Sequence, residues 1–183
     1  MSVKIVTPAT PIHVADGAAF ASFTTFQDIS PTPSLLIPQQ TLESGLEIYL
    51  EAYGQFSNTG TPTFALGFWF NTASTVLAQN ALTTSVTGAT AWPWQIRYRG
   101  RIRANTPSTA ATIHGQGEVK VGGSLTAWQS GFPAPIPTTA AARTVTVDTT
   151  AARAIGVGAA WGASSASNTV TVTHFSCLLI TGY

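Results

Sequence analysis

The chain has 183 residues, of which 44% are hydrophobic and only 8% are charged, and its formal net charge is +1. This length suits one domain with its own core, and so hydrophobic a composition excludes a solvated disordered tail. The charge balance provides no field that would attract nucleic acid or an anionic membrane, and the scarcity of charge predicts a surface partly hidden in an assembly.

Residues 1–17 carry two prolines and show no regular alternation of apolar and polar positions. We interpret them as an extended arm that lies on another surface, with a frayed terminus as the alternative. Because the N-terminus lacks the apolar segment of a signal peptide and no apolar run could span a bilayer, we expect synthesis in a cytoplasm and no membrane partner. The candidate contact residues of this arm are Lys4, Ile5, Val6, Ile12 and His13.

Residues 18–183 are expected to form a single domain, and its clearest elements are two runs at residues 46–53 and 63–70. Side chains alternate between the two faces of a strand, so a period of two predicts a strand with one buried face in each run. The segment SNTGTP between the runs suits a turn, which predicts that the two strands form a hairpin. The apolar positions are Leu46, Ile48, Leu50, Phe64, Leu66 and Phe68.

Further alternating segments predict strands along the rest of the chain and no helix. In residues 91–104, apolar residues such as Trp94, Ile96 and Tyr98 share one face, and four arginines share the other. The end of the last strand is apolar on both faces, around Phe175 and Leu179, which predicts burial on both sides. These strands predict an all-β antiparallel sandwich or barrel of about eight to nine strands. They lie at residues 20–29, 75–79, 91–104, 111–121, 143–147, 155–161 and 169–180. Residues 30–45 also resemble an edge strand, broken by Pro31, Pro33 and Pro38.

The loop at residues 125–137 contains Trp128, Phe132 and Ile136 among three prolines. These large apolar side chains are more than a connecting loop requires. The loop is interpreted either as a lid on one end of the sandwich or as a contact site for a partner.

Four short sequence marks occur in a fixed order along the chain. They are a Leu-x-x-Gly step at residues 42–45, the SNTGTP turn at 57–62, a Val-Asp-Thr-Thr turn at 147–150, and a Trp with a small-residue turn at 161–169. Each mark is ordinary turn chemistry, but their order and spacing resemble those of small β-jelly-roll virion proteins of tailed bacteriophages. The resemblance covers residues 36–180.

This resemblance implies a jelly-roll sandwich that forms a trimer. It implies a capsid decoration or minor capsid protein that binds the major capsid protein on the outside of the virion. The short chain favours this role over that of a fibre tip. The second function considered is a host-recognition module of a tail or fibre, which would bind glycan through a patch of Tyr49, Tyr53 and Trp69.

The chemistry-bearing residues do not predict an enzyme. Cys177 and His174 lie three positions apart on one strand and therefore on opposite faces, which is incompatible with a nucleophile and its base. Neither paired catalytic carboxylates nor a phosphate-binding glycine loop is present, and His13, His114 and His174 lack the spacing of metal ligands. No cofactor or metal is expected.

Arg97, Arg99, Arg101 and Arg103 are spaced to share one strand face, where they repel one another unless anions face them. Three interpretations are open. Glu47, Glu51 and Glu118 of neighbouring strands could pair with them. An acidic partner, such as a neighbouring subunit or the capsid shell, could pair with them. Nucleic acid could also pair with them, although Tyr98 then faces the wrong side for base stacking. We expect no nucleic-acid partner. The candidate partner contacts on the domain are Arg97, Arg99, Arg101, Arg103, Glu47, Glu51, Trp128, Phe132, Ile136, Phe175 and Leu179.

Overall fold

The computed structural model describes residues 3–6, 17, 19–32, 35–81, 83–103 and 106–182. These residues form fourteen strands and two short 3-10 helices, Gln39–Thr41 and Ala141–Arg143, so the all-β prediction is confirmed. The strands are β1 (Val3–Val6), β2 (Phe20–Ala21), β3 (Gln27–Asp28), β4 (Leu35–Ile37), β5 (Glu47–Ser57), β6 (Thr63–Phe70), β7 (Thr72–Gln79), β8 (Thr83–Thr84), β9 (Trp92–Arg103), β10 (Ala111–Val121), β11 (Ala134–Ile136), β12 (Thr144–Val147), β13 (Arg153–Trp161) and β14 (Thr169–Gly182).

The strands form two antiparallel sheets that pack as a sandwich. The larger sheet has the order β1-β14-β5-β9-β10-β11, with β2 also on β14 and β12 also on β10. The smaller sheet has the order β3-β13-β6-β7, with β4 also on β13 and β8 also on β6. The described strands outnumber the eight or nine predicted because several segments of two to four residues pair at the ends of longer strands.

The core lies between the two sheets and is filled by the inward half of each alternating strand. Leu50 and Ile96 reach it from the larger sheet, and Leu66 and Val157 reach it from the smaller one. The predicted inward faces of β5, β6 and β9 are therefore confirmed. Tyr98 also points inward, and its ring occupies the space that a Cβ atom would need at Gly100 or Gly115.

The predicted hairpin between β5 and β6 is wrong, although both strands exist. β5 pairs with β9 and β14 in the larger sheet, whereas β6 pairs with β7, β8 and β13 in the smaller sheet. The connection from Ser57 to Thr63 crosses the core edge from one sheet to the other. Both strands bury an alternating face in the same core, and alternation alone does not specify which strand is the partner.

The predicted burial of the end of β14 on both faces is also wrong in the described chain. Phe175, Cys177 and Leu179 point into the core, but Leu178 on the other face is 36% exposed. The outer face of the larger sheet has no layer of the chain's own described residues over this strand. The apolar character of that face therefore remains at the surface.

The backbone of β1, which belongs to the predicted arm, pairs with β14. Val3 lies opposite Gly182, and Val6 lies opposite Leu179. The arm residues Lys4 and Ile5 lie within this strand. The other two candidate arm contacts, Ile12 and His13, lie outside the described residues.

The core makes a direct prediction for Leu66, which is fully buried in β6. The variant Leu66→Ala should lower the free energy of unfolding by about 2–5 kcal/mol, because it removes buried methyl groups and leaves a cavity. Urea unfolding followed by fluorescence measures this difference.

The matched control is Leu36→Ala. Leu36 lies in β4 of the same sheet and is 58% exposed. Its truncation should change the free energy of unfolding by less than about 0.5 kcal/mol. Equal losses in the two variants would contradict the described core.

Candidate functional site

The outer face of the larger sheet concentrates the charged side chains of β5, β9 and β10, and we call it the charged face. Its members lie in rows across the strands because the register is antiparallel and regular. Glu47 faces Arg101, and Glu51 faces Arg97. The charged face consists of Glu47, Tyr49, Glu51, Arg97, Arg99, Arg101, Arg103, His114, Gln116, Glu118 and Lys120.

Two of the four arginines pair with carboxylates of β5. Arg97 Nε donates to Glu51 Oε1 at 2.8 Å, and an Arg99 guanidinium nitrogen donates to Glu47 Oε2 at 2.8 Å. Arg99 also lies over the ring of Tyr49, 4.9 Å from its centroid. The intrachain interpretation of the arginine face therefore holds for Glu47 and Glu51.

Glu118 was considered as a partner of the arginines, but Lys120 lies closer to it than any arginine does. The Lys120 Nζ atom is 3.4 Å from Glu118 Oε1. Among the described residues, no carboxylate lies within 4.0 Å of the guanidinium groups of Arg101 or Arg103. Arg101 and Arg103 therefore form no ion pair in this part of the chain, although the charge of Arg101 also helps to lower the pKa of Glu47.

The ion pairs shift the pKa values of their members in the expected directions. The hydrogen bond from Arg99 lowers the pKa of Glu47. At Glu51, desolvation is the largest effect and raises the pKa, but hydrogen bonds from Arg97 and Gln95 outweigh it, so the pKa is lowered overall. Desolvation and a hydrogen bond to Glu47 raise the pKa of Tyr49. Both carboxyls are therefore ionised at neutral pH.

An apolar groove runs beside these ion pairs where β14, β5 and β9 lie together. It has a volume of about 390 Å³, and Leu178, Tyr49 and Gln116 line it. Farther along the same strands, Tyr53 is 44% exposed and stacks on His174, with ring centroids 4.6 Å apart. Leu178 was not among the predicted contact residues, although the alternation of β14 places its side chain on the outer face.

The loop between β10 and β11 exposes only part of its apolar content. Trp128 is 44% exposed, while Phe132 is half-buried against the core. Ile136 lies in β11 and is almost completely buried, so it offers no surface to a partner. Phe175 and Leu179 are buried in the core in the same way. Of these five candidate contacts, Trp128 and Phe132 have accessible surface.

The structure separates the residues considered for catalysis and for glycan binding. Cys177 is buried, and this burial raises the pKa of its thiol to about 12, whereas His174 lies on the opposite face. Trp69 is only 3% exposed, and its Nε1 donates to Val157 O at 3.1 Å within the smaller sheet. The predicted patch of Tyr49, Tyr53 and Trp69 is therefore wrong, because the first two lie on the other sheet.

Two searches of the described residues for other kinds of site gave no candidate. No group of three or more His, Cys, Asp or Glu side chains there could hold a metal ion. None of the helices in the described ranges is both long and apolar enough to cross a membrane.

Comparison with protein-family models, with curated proteins and with solved structures found no match to this chain.

The lowered pKa values of Glu47 and Glu51 predict how stability depends on pH. Each carboxyl holds its proton more weakly in the folded chain than at its ordinary pKa of 4.5. Its contribution is therefore complete above the unfolded pKa and is lost as the pH falls through the folded value. The double variant Glu47→Gln, Glu51→Gln should lose less stability between about pH 7 and about pH 3.5 than the parent chain does.

The difference should be at most about 1 kcal/mol for each pair, because both pairs are partly exposed. Urea unfolding at the two pH values measures it. Glu43→Gln is the control, since Glu43 is exposed and forms no ion pair with another described residue. An unchanged pH dependence in the double variant would show that the two pairs do not stabilise the fold.

Proposed function

We propose that this chain is a structural virion protein of a tailed bacteriophage. In this proposal it is a homotrimeric capsid decoration, or minor capsid, protein that is made in the host cytoplasm and binds the major capsid protein on the outside of the capsid. The observation that carries the proposal is the outer face of the larger sheet, where an apolar groove and a row of partly neutralised arginines lie side by side. Such a face suits binding to other protein surfaces.

The order of the strands supports a jelly roll, the fold that the sequence resemblance implies. The chain crosses repeatedly between the sheets, from β2 to β3, from β5 to β6, from β7 to β9 and from β13 to β14. The last strand, β14, lies between β5 and the early strands β1 and β2. This wrapping of strand pairs around one core is typical of a double-sheet jelly roll.

The apolar part of the outer face supports the trimer. Leu178, Tyr49 and Tyr53 lie on neighbouring strands of one rigid sheet, and burying them against another copy would remove apolar surface from water. A chain with 8% charged residues has few charges to keep such a surface soluble alone. Closed cyclic symmetry would cover this surface in every copy.

The loop between β10 and β11 supports contact with a further protein. Leu125 and Trp128 are both exposed there. Loops of a sandwich gather at its ends, so these side chains are available while the sheet faces are occupied. The alternative role, glycan recognition on a tail or fibre, loses its aromatic patch because Trp69 is buried.

The trimer gives a prediction for Leu178, the exposed leucine of the groove. The intact protein should be a trimer at micromolar concentration in light scattering. Leu178→Arg should convert it to monomer, because a charge would be buried without a partner in the interface. The substitution is at the surface, so circular dichroism should remain that of an all-β protein.

Leu36→Arg is the matched control for this experiment. Leu36 is also an exposed leucine, but it lies in β4 of the smaller sheet. That variant should remain trimeric. A stable monomer in the parent chain, or equal dissociation in both variants, would reject the proposed interface.

The virion assignment is tested by where the protein is found. Quantitative mass spectrometry of purified particles, separated into capsids and tails, should find the chain in the capsid fraction at a copy number comparable to that of the capsid lattice positions. Recovery only in tails at a few copies would replace the decoration role with the tail or fibre alternative.

A further inference from the structure

A second concavity of the charged face lies at the far edge of the larger sheet. It is an open cleft of about 690 Å³, and we call it the arginine cleft. Backbone of Gly100 and Gly115 forms part of its lining, and Pro135 contributes a side wall. Arg101, His114 and Arg143 bring cationic or ionisable side chains to it.

The cleft exists because the edge of β10 is covered by two separate short strands. β12 pairs with residues 111–114 of β10, and β11 pairs with residues 117–119. Between these two pairings, the chain from Pro137 to Arg143 passes through a 3-10 helix before it returns as β12. Arg143, at the end of that helix, thereby lines the same cleft as Arg101 of β9, although it is distant in the sequence.

The charges of the cleft do not cancel within the described residues. Two carboxylates also line it, but Glu47 is bonded to Arg99 and Glu118 lies beside Lys120. No carboxylate of the described chain lies within 4.0 Å of the guanidinium group of Arg101 or Arg143. Two guanidinium groups therefore remain to bind an external anion.

His114 adds a third group that suits an anion. Its Nδ1 atom lies 2.9 Å from Thr144 Oγ1, directly across the strand pair, and this contact holds the ring in place. Thr144 follows Arg143, so the same short segment positions both the imidazole and one of the guanidinium groups. The imidazole of His114 is therefore held by a contact between two strands, and the two arginines reach the cleft from β9 and from the residue before β12.

We infer that the arginine cleft binds carboxylate side chains of an acidic protein segment. A guanidinium group matches a carboxylate with two parallel hydrogen bonds, and charge-assisted bonds of this kind are among the strongest in proteins. The described residues that line the cleft include no Phe, Tyr or Trp ring on which a sugar could stack, so its chemistry favours an acidic peptide over an acidic glycan. The inference that the cleft binds carboxylates depends only on the residues of the cleft. The identity of the protein that carries the acidic segment rests on the proposed function.

The test uses the intact chain and a hexaglutamate peptide with a fluorescent label. Fluorescence anisotropy at low salt should show binding that weakens as salt is added, because the contacts are ionic. Arg101→Gln and Arg143→Gln should each weaken binding about tenfold or more, because each removes charge-assisted hydrogen bonds. Both arginines are exposed, so both variants should keep the parent's circular dichroism.

Arg103→Gln is the matched control. Arg103 lies on the same face of β9 as Arg101 and is also exposed, but it does not line the cleft. This variant should keep the parent's affinity to within about twofold, because an exposed charge at a distance is screened by salt.

Two results would overturn the inference. The first is an equal loss of affinity in Arg103→Gln, which would show a general electrostatic effect of the surface. The second is binding of polygalacturonate without binding of hexaglutamate, which would assign the cleft to an acidic glycan. Neither result depends on finding the protein in a capsid. A failure of carboxylate binding at the cleft can therefore be distinguished from a failure of the virion assignment.

Discussion

Aromatic contacts join the two sheets where the chain crosses between them. Phe56, near the end of β5, packs against Phe64 of β6 with ring centroids 5.6 Å apart, and Trp161 of β13 stacks on Phe64 at 4.3 Å. All three rings are almost completely buried. Because these rings come from both sheets and from distant parts of the sequence, their contact helps to hold the two sheets together.

The connection between β5 and β6 is stabilised by buried polar side chains, and its path was not predicted from the sequence. Asn58 was interpreted as a turn residue, but it is 3% exposed; its Nδ2 donates to Ser85 Oγ, and its Oδ1 accepts from the amide of Ala89. Such bonds satisfy a polar group that would otherwise be costly to bury. Alternation predicted the strands and their buried faces, because that pattern is local. The choice of strand partner depends on contacts such as Asn58–Ser85, which join residues far apart in sequence.

The same distinction applies to the site. Spacing of two residues predicted that Arg97 and Arg101 share an outer face, and the acidic residues of β5 were recognised as their neighbours. No local pattern connects Arg143 to that face, because it reaches the cleft through a break in the pairing along one edge of β10. Phe175 and Leu179 were predicted as contacts because their strand is apolar on both faces. Both are buried in the core, and it is Leu178, whose side chain points to the opposite face of the strand, that reaches the surface.

The distribution of charge argues for two roles on the outer face of the larger sheet. Arg97, Arg99, Arg101, Arg103 and Lys120 make up five of the eight Lys and Arg residues of a chain that is otherwise poor in charge. Exposed ion pairs contribute only about 0.2–1 kcal/mol each, so stability does not account for this concentration. Covering the paired charges with another copy would cost desolvation energy. Covering Tyr49 would affect the same charges, because its hydroxyl donates to Glu47 and its ring lies under Arg99, whereas the side chain of Leu178 has no polar group to desolvate. Self-association is therefore favoured along β14, and the β9 and β10 half of the face is left for a partner that supplies negative charge.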